Sequence, residues 1–308
     1  MEISKFKPGH VYEPTVVALG NFDGVHLGHR KLLEWALEKS RSENLKLSVL
    51  LFCPHPLKVL YPERKLNLLT SYEERLEIFE QIGVDKVLLF PFTSEFATTS
   101  PEAFVREVLL KIGTVHVFVG FDYTFGYQGK GNPEVLKVLA KQYGFGLSVL
   151  EAQKVNNKLI SSSEIRKHLL NGDISQAKEL MGSSPKIVGK VIPGDKRGRS
   201  LGFPTANIQV GEDSLIPKNG VYAVKTIIDG QEYKGMLNIG LCSTFKDLPE
   251  RSIEVNFFDY QGNLYDRKLS ISLEARLRDE KKFKGVEEII SQLYKDKQKA
   301  LTLLNSMK

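Results

Sequence analysis

A chain of 308 residues, 42% hydrophobic and 26% charged, is too long for a single hydrophobic core and too balanced to be disordered, fibrous or low in complexity. Its net charge of +6 is dispersed among acidic neighbours, which argues against a nucleic-acid-binding stripe and favours small anions, whose local concentration a mildly basic surface raises. The opening Met1-Glu2-Ile3-Ser4-Lys5-Phe6-Lys7-Pro8 lacks the apolar core of a secretory signal and no run suits a bilayer span, so a cytoplasmic location is expected; Cys53 and Cys242, far apart and without CxxC spacing, read as inert buried thiols.

From Thr15 to about Glu151, short apolar runs predict buried parallel strands: Val16 to Leu19, Leu47 to Phe52, Val87 to Phe90, Val115 to Val119 and Leu147 to Leu150. Between them Leu32, Leu33, Ala36 and Leu37, then Leu76, Ile78 and Phe79, then Phe104, Val108 and Leu109 recur at helical spacing. Alternation of strand and helix predicts a doubly wound α/β sheet. After Ser183-Ser184-Pro185 the helices drop out. Strands are expected over Ile187 to Ile192, Gly220 to Ile228, Tyr233 to Ile239, Ser252 to Phe258 and Leu269 to Leu277, with Asp229-Gly230 and Gln261-Gly262-Asn263 as hairpin signals. This half reads as an antiparallel barrel or sandwich closed by a helix carrying Ile289, Ile290, Leu293, Ala300, Leu301 and Leu304. The expected domains are 1–183, α/β, and 184–308, β with a terminal helix; no internal repeat is visible.

The first chemical signal follows the first strand at once: Gly20-Asn21-Phe22-Asp23-Gly24-Val25-His26-Leu27-Gly28-His29 opens the first helix. N–H groups and the positive dipole end at a helix start favour phosphate, and His26 and His29, three apart, share one face of that turn. Gly28 between them leaves room for a nucleotide near the backbone. Two such histidines are more often capping or surface groups, but here the preceding strand, the glycines and the open sheet reverse that preference. A zinc site is disfavoured, since no third ligand accompanies the pair. Gly120-Phe121-Asp122-Tyr123-Thr124-Phe125-Gly126 leaves another strand of the same sheet, and Ser161-Ser162-Ser163-Glu164-Ile165-Arg166 precedes a helix, where hydroxyls and a guanidinium could hold pyrophosphate or merely cap it.

Together with Phe52-Cys53-Pro54-His55-Pro56 and Leu68-Leu69-Thr70-Ser71, these segments resemble the FMN adenylyltransferase module of bacterial bifunctional FAD synthetases, a Rossmann-like member of the HxGH nucleotidyltransferase superfamily. Where that family usually reads SST, this chain has Ser162-Ser163, which keeps a hydroxyl. The resemblance implies that His26 and His29 contact ATP phosphates within a loop that includes Gly20, Phe22 and Gly28. It also implies that Ser162, Ser163 and Arg166 hold the departing β- and γ-phosphates, and that His55, Pro56, Asp122 and Phe125 border the flavin. An FMN phosphate carries a charge of about −1.5 to −2 at pH 7, so it needs positioning and charge stabilisation rather than a general base.

The second signal is Gly198-Arg199-Ser200-Leu201-Gly202-Phe203-Pro204-Thr205-Ala206-Asn207, preceded by Gly189-Lys190-Val191-Ile192-Pro193-Gly194. Thr205 and Asn207 are two apart, so on an extended chain both face one side and offer hard oxygen ligands of the kind magnesium takes sparingly. In Ile253-Glu254-Val255, alternation puts Glu254 on the face opposite its apolar neighbours, as a candidate base or simply as a solvent-facing carboxylate. GKV, GRSLGFPTAN, GVYAV, NIG, STF, IEVNFFD and LRDEKKF resemble the riboflavin kinase module of the same synthetases, an antiparallel β-barrel. That resemblance implies Mg2+ and phosphate binding at Thr205 and Asn207, proton abstraction by Glu254, and nucleotide loops lined by Lys190, Gly194 and Arg199. Ser243 stands where the family usually has proline before Thr-Phe, which bears on the rigidity of that loop.

The expectation is therefore a bifunctional enzyme that phosphorylates riboflavin to FMN in its C-terminal domain and adenylylates FMN to FAD in its N-terminal one. ATP is the co-substrate, Mg2+ the cofactor, and riboflavin, FMN and ATP the partners, with neither nucleic acid nor membrane. The alternatives are a flavin or nucleotide sensor without turnover, and an enzyme with one live domain. Oligomeric state is not legible in the sequence.

Overall fold

The computed structural model describes residues 1–194, 198, 201–242 and 250–307, excepting the side chains of Cys242 and Glu250. Arg199 and Ser243 lie outside the described residues. The chain divides into two compact units, Met1–Leu66 with Thr70–Ser161, and Asn67–Leu69 with Ser162–Lys308.

In the first unit, β1 (Glu2–Lys5), β2 (Thr15–Leu19), β3 (Lys46–Cys53), β4 (Lys86–Pro91), β5 (Thr114–Gly120) and β6 (Gly146–Leu150) pair in parallel in the order β1-β4-β3-β2-β5-β6. The helices are α1 (Leu27–Ser42), α2 (Pro56–Leu60), α3 (Tyr72–Ile82), α4 (Pro101–Phe104), which runs into a π-helical turn at Val105–Leu109, and α5 (Pro133–Tyr143). Successive strand residues face opposite ways, so a strand covered on both faces must be apolar throughout. β2 shows this directly. Val16 and Ala18 pack with Leu32, Leu33 and Ala36 of α1 and Phe79 of α3, while Val17 and Leu19 pack with Val105, Val108, Leu109 and Leu136 on the other side. A small hairpin, β7 (Lys154–Val155) and β8 (Lys158–Leu159), turns at Asn156 and Asn157, both with positive φ.

Two expectations change here. β1 was not anticipated, because Glu-Ile-Ser-Lys is a mostly exposed sheet edge and needs no apolar run. Cys53 is exposed rather than buried, since it ends β3 where the strand emerges from the helical layers into a loop.

The second unit contains α6 (Ser162–Asn171), α7 (Ile174–Met181), a six-stranded barrel and α8 (Val286–Ser306). The barrel strands β9 (Lys186–Ile192), β10 (Ala206–Val210), β11 (Gly220–Ile228), β12 (Gln231–Cys242), β13 (Glu250–Phe257) and β14 (Lys268–Arg278) close in the order β10-β13-β12-β11-β14-β9, all antiparallel. Asp229 and Gly230 form the expected hairpin, with φ of 51° and 81°. Gln261-Gly262-Asn263 does not form one. β13 pairs with β10 and β12, and β14 with β11 and β9, so that turn lies on a crossover between strands that are not neighbours.

Inward positions alternate as a barrel requires: Ile187 and Val191, Ile208, Leu237 and Ile239, and Ile253 and Val255 are buried, while Lys190, Asn207, Asn238 and Glu254 lie on the outer side. Ala300 and Leu304 of α8 pack with Phe203, Val221, Ala223, Met236 and Leu277. The packing groups α6 and α7 with the barrel, ahead of the boundary expected after residue 183. Lys178 of α7 donates to Glu274 of β14 at 2.6 Å, and the Ser184 hydroxyl donates to the same carboxylate at 3.0 Å. Among the described residues no helix is long and apolar enough to cross a membrane.

Candidate functional site

Strand order in the first unit reverses at β2, which has β3 on one side and β5 on the other, so the crevice of an open α/β sheet lies beyond the carboxyl ends of β2 and β5. Two of the sequence segments leave those ends: Gly20 to His29 after β2, and Phe121 to Gly126 after β5. His55, the N-cap of α2 with Pro56 behind it, leaves the neighbouring β3; its Nδ1 accepts the Leu57 N–H at 3.2 Å. A cavity of about 390 Å³ lies instead at the amino ends of the strands, lined by Lys46, Lys86, Glu2 and Glu13. Its lysines are paired, Lys46 with Glu13 and Lys86 with Glu2, and none of the expected site residues lines it.

His26 is the N-cap of α1, and its Nδ1 accepts the His29 N–H at 3.2 Å. That acceptor role puts the proton of neutral His26 on Nε2. No acidic side chain stands in the first turn of α1, which leaves the positive helix end without a counter-charge from its own turn. The two imidazoles stack with centroids 3.7 Å apart and planes within 14°, and the edge of His29 meets Phe22 at 5.2 Å. Desolvation, and secondly the neighbouring His26, hold the His29 pKa well below the ordinary histidine range. The buried Nδ1 of His29 has no hydrogen-bond partner among the described residues. A Cβ on Gly28 would come within 3.3 Å of His26 Nδ1, so the space this glycine leaves is taken by the His26 ring.

The loop ahead of His26 is held by Asp23, Thr70 and Arg75, none of which carried an expected role. Phe22 and Val25 have φ of 49° and 34°, a left-handed conformation disfavoured for bulky side chains, so the loop needs outside support. Asp23, buried, accepts the Thr70 N–H at 3.2 Å; the Thr70 hydroxyl accepts the Gly24 N–H at 2.9 Å. Arg75 of α3, only 8% exposed, donates to the Asn21 carbonyl at 2.9 Å. Desolvation lowers the pKa of this guanidinium, and Asp23 opposes the shift. Asp23 lies in the Gly20 to His29 segment and Thr70 in Leu68-Leu69-Thr70-Ser71, but nothing in a helical Glu-Glu-Arg distinguishes Arg75 from a solvated cation.

Asp122 is exposed at the end of β5, and a Cβ on Gly120 would approach its carboxylate at 3.1 Å. Phe125 is a core residue, packed on Phe104 at 5.4 Å and stacked at 5.7 Å on Tyr123. A Cβ on Gly20 would meet the Phe22 ring at 3.3 Å. Ser162, Ser163 and Arg166 open α6 in the second unit, where Arg166 Nε donates to the Asn67 carbonyl at 3.0 Å.

On the barrel, the structure brings three expected residues together. β10 and β13 pair with Asn207 opposite Glu254, and Asn238 of β12 flanks Glu254 on its other side. The Thr205 hydroxyl donates to Glu254 Oε2 at 3.2 Å. Donating that proton leaves the threonine lone pairs available, and bonding one carboxylate oxygen leaves Oε1 of Glu254. Gly194 lies against the Asn207 amide, where a Cβ would not fit. Asn256, buried two residues beyond Glu254, donates from Nδ2 to the Pro204 carbonyl at 2.7 Å. Lys190 is exposed on β9 and pairs with Asp266 at 2.7 Å. A hydroxyl, an amide and one carboxylate form a hard-oxygen set suited to magnesium, and among the described residues no cluster of three His, Cys, Asp or Glu offers an alternative metal centre.

Comparison with known proteins agrees with both halves. A family model for FAD synthetase matches residues 10–164, and one for riboflavin kinase matches residues 181–304. The chain is 39% identical to the bifunctional riboflavin kinase/FMN adenylyltransferase of Bacillus subtilis, covering 96% of this chain and 94% of that one. It is 42% identical to the Listeria monocytogenes protein of the same name (92% and 90% covered) and 33% identical to that of Escherichia coli (92% and 91%). A crystal structure described as a macrolide-efflux protein from Streptococcus pneumoniae superposes with a TM-score of 0.87 at 30% identity, covering 97% of this chain and 98% of that one.

Proposed function

Since this chain belongs to the bifunctional riboflavin kinase/FMN adenylyltransferase family, we propose a residue-level account of how it carries out the two reactions of that family. The enzyme phosphorylates riboflavin to FMN and adenylylates FMN to FAD, with ATP as co-substrate in each. Residues 1–183 carry the adenylyl transfer and 184–308 the kinase reaction.

In the kinase reaction the chemical demand is a proton acceptor for the ribityl hydroxyl, which is protonated at neutral pH. Glu254 is that acceptor. Its Oε2 is held by the Thr205 hydroxyl, so Oε1 faces the substrate, and the observation that carries this assignment is the 3.2 Å Thr205–Glu254 bond. Thr205 and Asn207 hold Mg2+, which when bound neutralises charge on the ATP phosphates. Lys190, Gly194 and Arg199 line the nucleotide loops.

In the adenylyl transfer the FMN phosphate is already anionic and attacks the α-phosphorus in line, so the protein's task is to stabilise charge on the leaving pyrophosphate. His26 offers Nε2–H. Its backbone carbonyl and Nδ1 bond the N–H groups of Arg30 and His29, which leaves those of Leu27 and Gly28 for phosphate. Ser162, Ser163 and Arg166 keep the phosphate-holding role that the resemblance gives them, and His55, Pro56 and Asp122 border the flavin. Phe125, being buried, acts there by supporting Tyr123. We place the enzyme in the cytoplasm.

Purified protein given riboflavin and Mg-ATP yields FMN and then FAD on chromatography. His29→Ala accumulates FMN without FAD, and Glu254→Ala makes no FMN yet converts added FMN to FAD. Glu254→Ala with undiminished FMN formation would refute the assignment of the base.

A further inference from the structure

β10 meets β13 at only two register positions, Ala206 with Val255 and Asn207 with Glu254. The same register continued would pair Thr205 with Asn256, but the ladder stops and the preceding residue is Pro204, which has no N–H to donate. The segment carrying Thr205 is therefore not fixed by strand pairing to the strand carrying Glu254. What joins them is a side chain. Asn256 is 7% exposed, lies on the same side of β13 as Glu254, and donates from Nδ2 to the Pro204 carbonyl at 2.7 Å. That bond anchors the residue immediately before Thr205, whose hydroxyl must reach Glu254 Oε2. On the other side, Phe203 is buried and its ring meets Tyr294 of α8 edge-on at 5.0 Å.

We propose that Asn256 is a positioning residue of the kinase reaction: its amide replaces the missing ladder bond and sets Thr205 against Glu254. The inference rests on the assignment of Thr205 and Glu254 to that reaction. Loss of the bond leaves a carbonyl without its donor and frees Thr205 to drift, and a displacement on the order of 1 Å at a reacting centre costs up to about a hundredfold in rate. Because Thr205 is also a metal ligand in this account, the drift weakens Mg2+ activation. Adenylyl transfer does not use it.

The test uses the full chain. Asn256→Leu keeps the shape and removes the donor, whereas Asn256→His keeps a ring N–H at a similar position. For Asn256→Leu, kcat for FMN formation falls roughly tenfold, the Mg2+ concentration for half-maximal rate rises several-fold, and FAD formation from added FMN is unchanged. Asn256→His restores most of the loss. A folded Asn256→Leu protein with wild-type kcat and Mg2+ dependence overturns the proposal, and so does an equal loss in the leucine and histidine variants. Should the leucine variant not fold, Asn256→Ala, which also lacks the donor, decides by the same two readouts. Glu254→Gln separates the levels: if it retains FMN formation the underlying assignment fails, and if it abolishes FMN formation while Asn256→Leu is normal, only the positioning role fails.

Discussion

The rings of His26 and His29 lie 3.7 Å apart and nearly parallel, held in that relation by the N-cap bond from the His29 N–H to His26 Nδ1. Stacked imidazoles this close tolerate a positive charge poorly, and desolvation already holds the His29 pKa well below its ordinary value. A histidine whose pKa is lower folded than unfolded contributes stability that is fully present above the unfolded value, about 6.5. That stability is lost as pH falls below 6.5 towards the folded pKa, because the unfolded chain binds the extra proton. In thermal melts from pH 8 to pH 5, the wild type loses stability more steeply below about 6.5 than His29→Gln does. Parallel curves for the two proteins would remove this account of the pair.

Gly28→Ala is expected to act on the same stack. Its Cβ would lie 3.3 Å from His26 Nδ1 and 3.4 Å from Cε1, at or near the limit of an ordinary contact, and the ring is already stacked on His29. Helix propensity by itself favours alanine over glycine by about 1 kcal/mol, so the variant folds. Its FAD formation falls while FMN formation from riboflavin stays at the wild-type rate, as product chromatography with riboflavin and with FMN as starting material will show.

Arg75 offers a third check, on the loop rather than the rings. Its bond to the Asn21 carbonyl supports a segment in which Phe22 and Val25 are both left-handed. Arg75→Met fills similar space without a donor and leaves that carbonyl unpaired, at a cost of about 1–3 kcal/mol. The expected result is a lower melting temperature and a roughly tenfold or greater loss of FMN adenylylation, with Mg2+-dependent FMN formation intact. Wild-type rates of FAD formation would show that the strained loop does not need the clamp.

The difference between Arg75 and His29 shows what the sequence could reveal. β2 to β6 are legible because strands under helical layers read as short apolar runs, broken within the runs only by single polar residues such as Ser48, His116 and Ser148, and the histidine pair is legible because it falls between one such strand and a helix. Glu254 follows from alternation with Ile253 and Val255, both buried inside the barrel. Its proximity to Thr205 does not, because that depends on β10 joining β13 across the closed barrel rather than on any local pattern. The same closure turns Gln261-Gly262-Asn263 from a hairpin into a crossover. Arg75 and Asn256 act through backbone carbonyls, and a side chain that bonds a distant carbonyl leaves no periodicity or spacing to read.

Asp296 provides the last prediction. It is buried on α8, its two carboxylate oxygens accept three bonds from Arg278 of β14 at 2.7–3.0 Å, and Gln292 donates a further one at 2.9 Å. Lys299 of the same helix donates to the Leu277 carbonyl at 2.7 Å, so α8 is tied to β14 at two levels. Removing one member of a buried pair costs about 3–5 kcal/mol, mainly because the other charge is left uncompensated. Asp296→Ala therefore loosens α8 from β14, and Asp296→Asn, which can still accept from Arg278, does so less. Because α8 presents Tyr294 to Phe203, two residues before Thr205, the kinase reaction is the one that suffers. On stepwise heating, Asp296→Ala loses FMN formation at a lower temperature than the wild type while conversion of added FMN to FAD persists. Simultaneous loss of both activities at the wild-type temperature would mean that the Arg278–Asp296 pair does not secure the helix against the kinase site.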